Sequence, residues 1–148
     1  MTLQEDWRGH NSGTLVSYSI ADFMDDGKIT DVHEVIKPTD RQSIGGFGAT
    51  KSAVLLSLYD NVAGVALAFD FEDGKWTSSK LDFPENGNVS IGGTNAKEDI
   101  AFVNTESFLE PDTLWMVDTS DMSISKAKSL PQWFDADSMT AEQHFATS

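Results

Sequence analysis

Three histidines are the residues of this chain best suited to acid–base chemistry or metal binding. They are His10, His33 and His144, and no two of them have the H-E-x-x-H or H-x-H spacing of a metal site. His33 and Glu34 are neighbours on a predicted strand, where consecutive side chains point to opposite faces, so they cannot form a dyad directly. No G-x-S-x-G nucleophile elbow occurs in the chain. The sequence therefore predicts no catalytic residue.

Two acidic segments could offer oxygen ligands to calcium. They read Asp-Asp-Gly at 25–27 and Asp-Phe-Glu-Asp-Gly at 70–74. An EF-hand loop requires Gly at position 6 and Glu at position 12. A loop that opens at Asp70 instead has Gly74 at position 5 and Leu81 at position 12. Because Asp-Gly is a strong hairpin signal, we predict turns here, with no metal and no cofactor bound by the chain.

A glycine-rich segment at 45–52 has the composition of a phosphate-binding loop. It reads Gly-Gly-Phe-Gly-Ala-Thr-Lys-Ser, so Gly48 and Lys51 are three apart and the G-x-x-x-x-G-K-[ST] spacing is not met. No long helix follows that could present its N-terminus to a phosphate. We interpret the segment as a flexible connection between two structural units.

The aromatic residues could form a surface on which a sugar or a peptide stacks. In a protein built from stacked sheets, however, apolar side chains that alternate along strands pack one sheet on the next. The sequence therefore predicts a core position for the following residues: Trp76, Phe83, Phe102, Phe108, Trp115, Trp133 and Phe134.

The elements that must position these residues repeat along the chain. Asp-Asp-Gly-Lys at 25–28 recurs as Glu-Asp-Gly-Lys at 72–75, which is 47 positions later, and a degraded copy, Ser-Asp-Met-Ser, lies at 120–123. Pro38, Pro84 and Pro131 close the three units. A fixed period of roughly 40–50 residues made of short strands is typical of the blades of a β-propeller. Three blades do not close a ring, so the repeat predicts a partial propeller.

Runs of four to nine residues rich in Val, Ile, Phe and Trp, separated by Gly, Asp and Asn, favour strands over helices. The predicted fold class is all-β, with about three four-stranded antiparallel blades at about 6–38, 43–84 and 88–131. In the first unit, the runs 14–20 and 29–36 are predicted to form a hairpin around the acidic turn. Residues 132–148 are predicted to be an extended tail that acts as a linker.

The composition restricts the possible partners. Asp and Glu number 24 against 10 Lys and Arg, a formal charge of −14. Such a surface repels phosphate backbones and anionic lipid, so nucleic-acid and membrane partners are not expected. The absence of cysteine excludes thiol nucleophiles and disulfides. No apolar run could span a bilayer and no secretory signal is visible. We therefore expect a soluble protein, in the cytoplasm or the periplasm.

Several segments resemble the late propeller of prolyl oligopeptidases. They are Leu-Leu-Ser-Leu-Tyr-Asp-Asn-Val at 55–62, Gly-Lys-Trp at 74–76, Thr-Glu-Ser-Phe-Leu-Glu-Pro-Asp-Thr-Leu at 105–114, and the tail at 130–136 and 142–148. In that family the tail segment leaves the last blade and enters an α/β-hydrolase domain. The resemblance implies the last three or so blades of a seven-bladed propeller that caps a catalytic domain and restricts access to small peptides. It also implies that the catalytic serine, aspartate and histidine belong to the hydrolase domain, so none is assigned here.

The leading hypothesis is a noncatalytic propeller segment of a serine peptidase of the prolyl oligopeptidase type, with a gating and scaffolding role. Its partner would be the α/β-hydrolase domain of the parent chain. The alternative is a freestanding acidic β-rich binding module. A further possibility is self-association through open blade edges, because unpaired strand edges tend to pair.

Overall fold

The computed structural model describes residues 1–85, 87–142 and 144. Five residues of the predicted tail, at 143 and 145–148, lie outside the described residues. The first sheet is antiparallel and two-stranded, and the second and third sheets are antiparallel and four-stranded, with their strands in chain order. The first sheet contains β1 (Leu15–Ser17) and β2 (His33–Ile36), with helix α1 (Ile20–Asp26) between them. The second contains β3 (Gln42–Ala49), β4 (Val54–Asp60), β5 (Ala63–Glu72) and β6 (Lys75–Lys80). The third contains β7 (Gly87–Thr94), β8 (Ile100–Ser107), β9 (Thr113–Asp118) and β10 (Ser123–Ser129).

The all-β class and the partial propeller are confirmed, and the strands form open sheets that do not close on themselves. The repeated acidic turn joins the third and fourth strands in both four-stranded sheets. Between β5 and β6 it consists of Asp73 and Gly74, which have φ of 50° and 77°. Two successive positive φ angles are what a two-residue type I′ hairpin turn requires, and they match the twist of the flanking strands.

The first unit differs from the prediction, because it has two strands instead of four and a helix where a hairpin turn was expected. Ser19 begins α1 by accepting a hydrogen bond from the Asp22 N–H at 3.3 Å. Gly27 ends it in the left-handed conformation, with its N–H donating to the Phe23 carbonyl at 2.9 Å. The acidic segment at 25–28 is therefore a helix end, and not a turn equivalent to the one at 72–75. In the described residues, no helix is long and apolar enough to cross a membrane.

The interpretation of 45–52 as a flexible connection was wrong for its first half, because residues up to Ala49 belong to β3. The glycines allow neighbouring backbones and side chains to come close. A Cβ on Gly48 would lie 2.5 Å from the Thr94 hydroxyl of β7, and one on Gly45 would lie 2.9 Å from the Tyr59 ring. Gly48 is therefore needed where the first strands of the second and third sheets converge, and Gly45 where the Tyr59 ring of β4 crosses β3.

The main core lies between the second and third sheets. Its buried members are Leu55, Ala66, Ala68, Leu81, Phe83, Val89, Ala101, Val103 and Val117. Leu81 and Phe83 follow β6, and the other members alternate along their strands with residues of the opposite face, as the two-residue period of a strand requires. The second sheet thus turns one apolar face to the third sheet.

The other face of the second sheet packs on the first sheet. Leu56 and Leu58 of β4 cluster there with Leu15 of β1, and all three side chains are buried. The Trp76 indole N–H donates to the Ser17 hydroxyl at 2.8 Å across the same boundary. Strand β4 therefore buries leucines on both of its faces, with Leu55 turned to the third sheet.

Hydrogen bonds also join the second and third sheets at their two ends. At one end, the buried hydroxyls of Thr50 and Thr119 lie 2.8 Å apart, and that of Thr119 donates to the Asp99 carbonyl at 3.1 Å. At the other end, the Tyr59 hydroxyl donates to the Asn88 side-chain oxygen at 2.7 Å. These bonds fix the register of one sheet on the next.

Candidate interaction surface

The histidines that the sequence singled out lie apart and have different surroundings. The ring Nδ1 of His10 lies 3.1 Å from a carboxylate oxygen of Glu34, which ties the N-terminal loop to β2. His33 instead stacks edge-on against Phe71, with ring centroids 5.0 Å apart. His144 lies 3.4 Å from Glu142 in the tail. Sequence reasoning missed the partner of His10, because 24 residues separate it from Glu34 and no motif links them.

Carboxylates of the acidic segments accept hydrogen bonds from nearby backbone N–H groups. Asp26 accepts a hydrogen bond from the Lys28 N–H at 2.9 Å just after α1, and Asp121 accepts one from the Ser123 N–H at 2.9 Å in the β9–β10 turn. Hydrogen bonds from Ser123, that of its side chain first and that of its backbone N–H second, lower the pKa of the exposed Asp121 carboxyl. Within the described part of the chain, no three His, Asp or Glu side chains are grouped so that they could hold a metal ion.

The prediction that the aromatic residues form the core holds for only some of them. Phe83 is buried, and its ring lies 5.9 Å from that of Trp115 in the interior. Phe108 and Trp133 are instead 83% exposed, and Phe134 is 50% exposed. The core prediction was wrong for these three, and also for Phe102, which is 39% exposed.

Three of the exposed aromatic side chains lie together at one end of the sheets. In an antiparallel four-stranded sheet, the connection between the second and third strands lies at the end where the fourth strand exits. We call this end, where the chain leaves β10, the tail end. A groove of about 260 Å³ here has Phe108 and Leu109 on one wall and Leu130, Trp133 and Phe134 on the other.

Acidic residues surround this apolar groove. We call the groove together with these acidic residues the tail-end surface. Glu110 and Asp112 belong to its lining. An adjoining groove of about 910 Å³, between the strand connections and the tail, includes Glu106 and Glu142. The tail-end surface thus combines apolar contact area with negative charge, which suits a partner that has an apolar centre and a basic rim.

The tail-end surface carries a signal that sequence reasoning overlooked. Phe108 lies in the connection between β8 and β9, and Trp133 and Phe134 follow Pro131 beyond the last strand. None of the three takes part in the alternating pattern of a strand, which is the pattern that predicts burial between sheets. Large apolar residues outside that pattern indicate contact with something other than the protein's own sheets.

Comparison with known proteins assigns the chain to a family. Residues 2–129 match the model of the N-terminal β-propeller domain of prolyl oligopeptidase. The chain belongs to the prolyl oligopeptidase family. In this family the propeller is the noncatalytic domain.

Relatives of this prolyl oligopeptidase family member are peptidases of greater length. An uncharacterized peptidase of Sinorhizobium fredii is 34% identical over 152 residues, which cover 99% of this chain and 21% of that protein. An uncharacterized peptidase of Rickettsia prowazekii is 28% identical over 153 residues, again with 99% and 21% coverage. The chain therefore spans about a fifth of the length of the curated relatives that it matches.

Solved structures share the fold. A post-proline cleaving enzyme from Rickettsia typhi superposes with a TM-score of 0.76 at 24% identity, over 92% of this chain and 20% of that enzyme. Oligopeptidase B from Trypanosoma brucei superposes with a TM-score of 0.59 at 14% identity, over 76% of this chain and 16% of that protein. At these identities the likeness concerns the arrangement of strands.

Proposed function

We propose that this chain is a noncatalytic propeller segment of a serine peptidase of the prolyl oligopeptidase type, and that it supports and gates a catalytic hydrolase domain outside residues 1–148. The match of residues 2–129 to the family's propeller model carries the proposal. The three units at about 6–38, 43–84 and 88–131, followed by a linker at 132–148, remain our proposed division of the chain.

The tail-end surface supports a role beside a second domain. The chain leaves β10 at this end, so the proposed linker to a following domain starts beside Phe108 and contains Trp133. Both side chains are 83% exposed, and burying such aromatic surface is a main source of interface free energy. We propose that the hydrolase domain covers them.

The absence of catalysis is tested with the purified 148-residue chain and a chromogenic Pro-containing dipeptide. We expect no cleavage, because the proposal places the nucleophile and its base in the other domain. Cleavage that copurifies with the chain through successive columns, and persists after contaminants are removed, would contradict the proposal. Circular dichroism of the same sample shows whether the chain is folded.

The gating role is tested in a protein of the relatives' length that contains this chain. Replacing Trp133 by Ser should loosen the contact between domains and raise the cleavage of long peptides relative to a dipeptide. Met24→Ser is the control, because Met24 is 77% exposed on α1, at the opposite end of the sheets. An unchanged ratio of long-peptide to dipeptide cleavage in the Trp133 variant would refute gating through this surface.

A freestanding binding module is the second candidate. The formal charge of −14 and the exposed Trp133 beside Glu110 and Asp112 favour it, because they suit a basic, partly apolar partner. The reading frame after Ser148 separates the two candidates. A continuation that encodes a G-x-S-x-G motif supports the peptidase segment, whereas a natural stop codon supports the module.

A further inference from the structure

The connection between β1 and β2 has no counterpart in the two four-stranded sheets. Where Asp73 and Gly74 alone join β5 to β6, helix α1 and a loop at 27–32 join β1 to β2. Arg8, Phe23 and residues 27–31 line a groove of about 710 Å³ at this place, which we call the helix groove. Departures from an otherwise regular architecture concentrate at functional sites, so the chemistry of this groove indicates what it binds.

The Arg8 side chain is held in place at the helix groove. Arg8 and Gly9 form a two-residue turn with φ of 47° and 85°, in which the backbones of Trp7 and His10 exchange two hydrogen bonds of 2.9 Å. The guanidinium carbon lies 4.8 Å from the centre of the Trp7 ring, and one guanidinium nitrogen donates to the Ile29 carbonyl. Because a guanidinium has five N–H donors in one plane, this single bond leaves donors for a ligand.

The helix groove contains one cation and one anion that are not neutralised by a salt bridge. The Lys28 ammonium lies 3.7 Å from a carboxylate oxygen of Asp26, so these two charges offset each other. Within residues 1–85, 87–142 and 144, neither Arg8 nor Asp31 takes part in a salt bridge. A ligand that carries one negative and one positive group therefore matches the charges of the groove.

The helix groove also has an apolar wall. The Phe23 side chain is 38% exposed, and its ring is fixed edge-on against Tyr18, with ring centroids 6.5 Å apart. Ile29 is partly buried beside it in the lining. Apolar surface combined with a few polar groups is the usual composition of a small-molecule site, and such sites measure about 300–1,000 Å³.

We propose that the helix groove binds a short peptide that has free termini and an apolar last residue. Arg8 binds the terminal carboxylate, because a guanidinium can donate two parallel hydrogen bonds to its two oxygens. The last side chain packs on Phe23, and the terminal ammonium faces Asp31. The inference does not depend on the proposed function, because it uses only residues of the first unit.

Other ligand classes fit the helix groove less well. A polyanion such as a nucleic acid is repelled by the formal charge of −14. A basic segment of a folded partner would suit Asp31 but would meet the fixed charge of Arg8. A single apolar amino acid has the right charges, but it fills little of a groove of about 710 Å³. A peptide of a few residues, at about 3.3–3.6 Å per extended residue, fills it better.

The first experiment needs no variant. The dipeptide Ala-Leu, its C-terminal amide, the dipeptide Ala-Gly and free leucine are titrated into the ¹⁵N-labelled 148-residue chain. Two-dimensional ¹H–¹⁵N NMR spectra report which amides shift. We expect Ala-Leu to give saturable shifts at residue 8 and at 27–31. The amide should bind about tenfold more weakly or worse, because it lacks the charge that Arg8 binds. Ala-Gly and leucine should also bind more weakly than Ala-Leu.

Three results of this titration would overturn the inference. They are the absence of saturable shifts with Ala-Leu, equal affinity for the acid and the amide, and shifts confined to residues outside the groove. Leucine that bound as tightly as Ala-Leu would overturn the assignment to a peptide, because the ligand would then be an amino acid.

Variants at Arg8 assign the carboxylate contact. Arg8→Gln should weaken the binding of Ala-Leu about tenfold or more, and Arg8→Lys should keep part of it, because lysine retains the charge without the planar pair of donors. Arg41→Gln is the matched control, because Arg41 is exposed and does not line the groove. Binding that survived Arg8→Gln but was lost with Lys28→Gln would overturn the role of Arg8. Circular dichroism checks that each variant is folded.

A double comparison assigns the ammonium contact. N-acetylation of Ala-Leu removes its positive charge, so it should weaken binding to the parent chain but not to Asp31→Asn. This substitution suits the backbone, because Asp31 has φ of 44° and asparagine tolerates that region. An equal effect of acetylation on the two proteins would overturn the role of Asp31.

Discussion

Leu55→Ala should strongly destabilise the chain, because Leu55 is 0% exposed and belongs to the core between the second and third sheets. Removing a fully buried leucine side chain loses its transfer free energy and leaves a cavity, which together lower the free energy of unfolding by roughly 3 kcal/mol. The entropy of unfolding is about 2.1 cal/mol/K per residue, or about 0.3 kcal/mol/K for a chain of 148 residues. The expected fall in Tm is therefore about 10 °C.

Phe102→Ala is the matched control, because it changes the equivalent position 47 residues later, on the face of the third sheet that points away from the core. More atoms are removed, but Phe102 is 39% exposed and the space it leaves opens to solvent, so we expect about 1 kcal/mol. Tryptophan fluorescence and circular dichroism during urea and thermal unfolding measure both variants. If Phe102→Ala in the 148-residue chain were as damaging as Leu55→Ala, this outward face of the third sheet would already be covered and the reasoning would be refuted.

Three further variants test other features of the fold. Gly64→Ala should lower stability by several kcal/mol or prevent folding, because its Cβ would lie 2.4 Å from the Val89 nitrogen, as urea unfolding would show. Thr119→Val keeps the shape of the side chain but removes its hydrogen bonds, so urea unfolding should show a loss of about 1–2 kcal/mol. Asp121→Asn should reduce the dependence of Tm on pH in acid. The lowered pKa of Asp121 stabilises the fold above the carboxyl's ordinary pKa, and this stability is lost as pH falls through the folded pKa.

Each of these variants has a result that contradicts its argument. A Gly64→Ala protein of unchanged stability would mean that the second and third sheets lie farther apart than described. A Thr119→Val protein as stable as the parent would show that the hydroxyl contacts add nothing beyond packing. If Asp121→Asn left the dependence of Tm on pH in acid unchanged, that dependence would belong to other carboxylates.

The third sheet could be predicted well from the sequence because local pattern and tertiary role agree there. The strand Thr113–Asp118 lies within the predicted blade at about 88–131, and the turn before Ser123 lies where the degraded acidic repeat is found. Helix α1 could also have been predicted from the sequence. Ser19 and Asp22 have the S-x-x-D spacing of a helix start, and Gly27 stands where a helix commonly ends. The turn-like composition of Asp-Asp-Gly obscured these signals.

Strand β3 and the tail-end surface could not be predicted in the same way. Glycine at 45, 46 and 48 lowers strand propensity, and only the folded structure shows that a Cβ on Gly45 would meet the Tyr59 ring and one on Gly48 the Thr94 hydroxyl of the neighbouring sheet. Likewise, a loop phenylalanine such as Phe108 is recognised as exposed only when the sheets that might bury it have been placed. Both errors concern contacts between residues far apart in the sequence.

The hydrogen bonds at both ends of the second and third sheets bear on the order in which the sheets unfold. Thr50 and Thr119 hold one end and Tyr59 and Asn88 the other, so the two sheets resist sliding and unfold as one cooperative unit. The two-stranded first sheet has fewer such ties, with Trp76 bonded to Ser17 at 2.8 Å. We therefore expect the amide hydrogens of β1 and β2 to exchange with solvent before those of β4 and β8, so that unfolding begins at the first sheet.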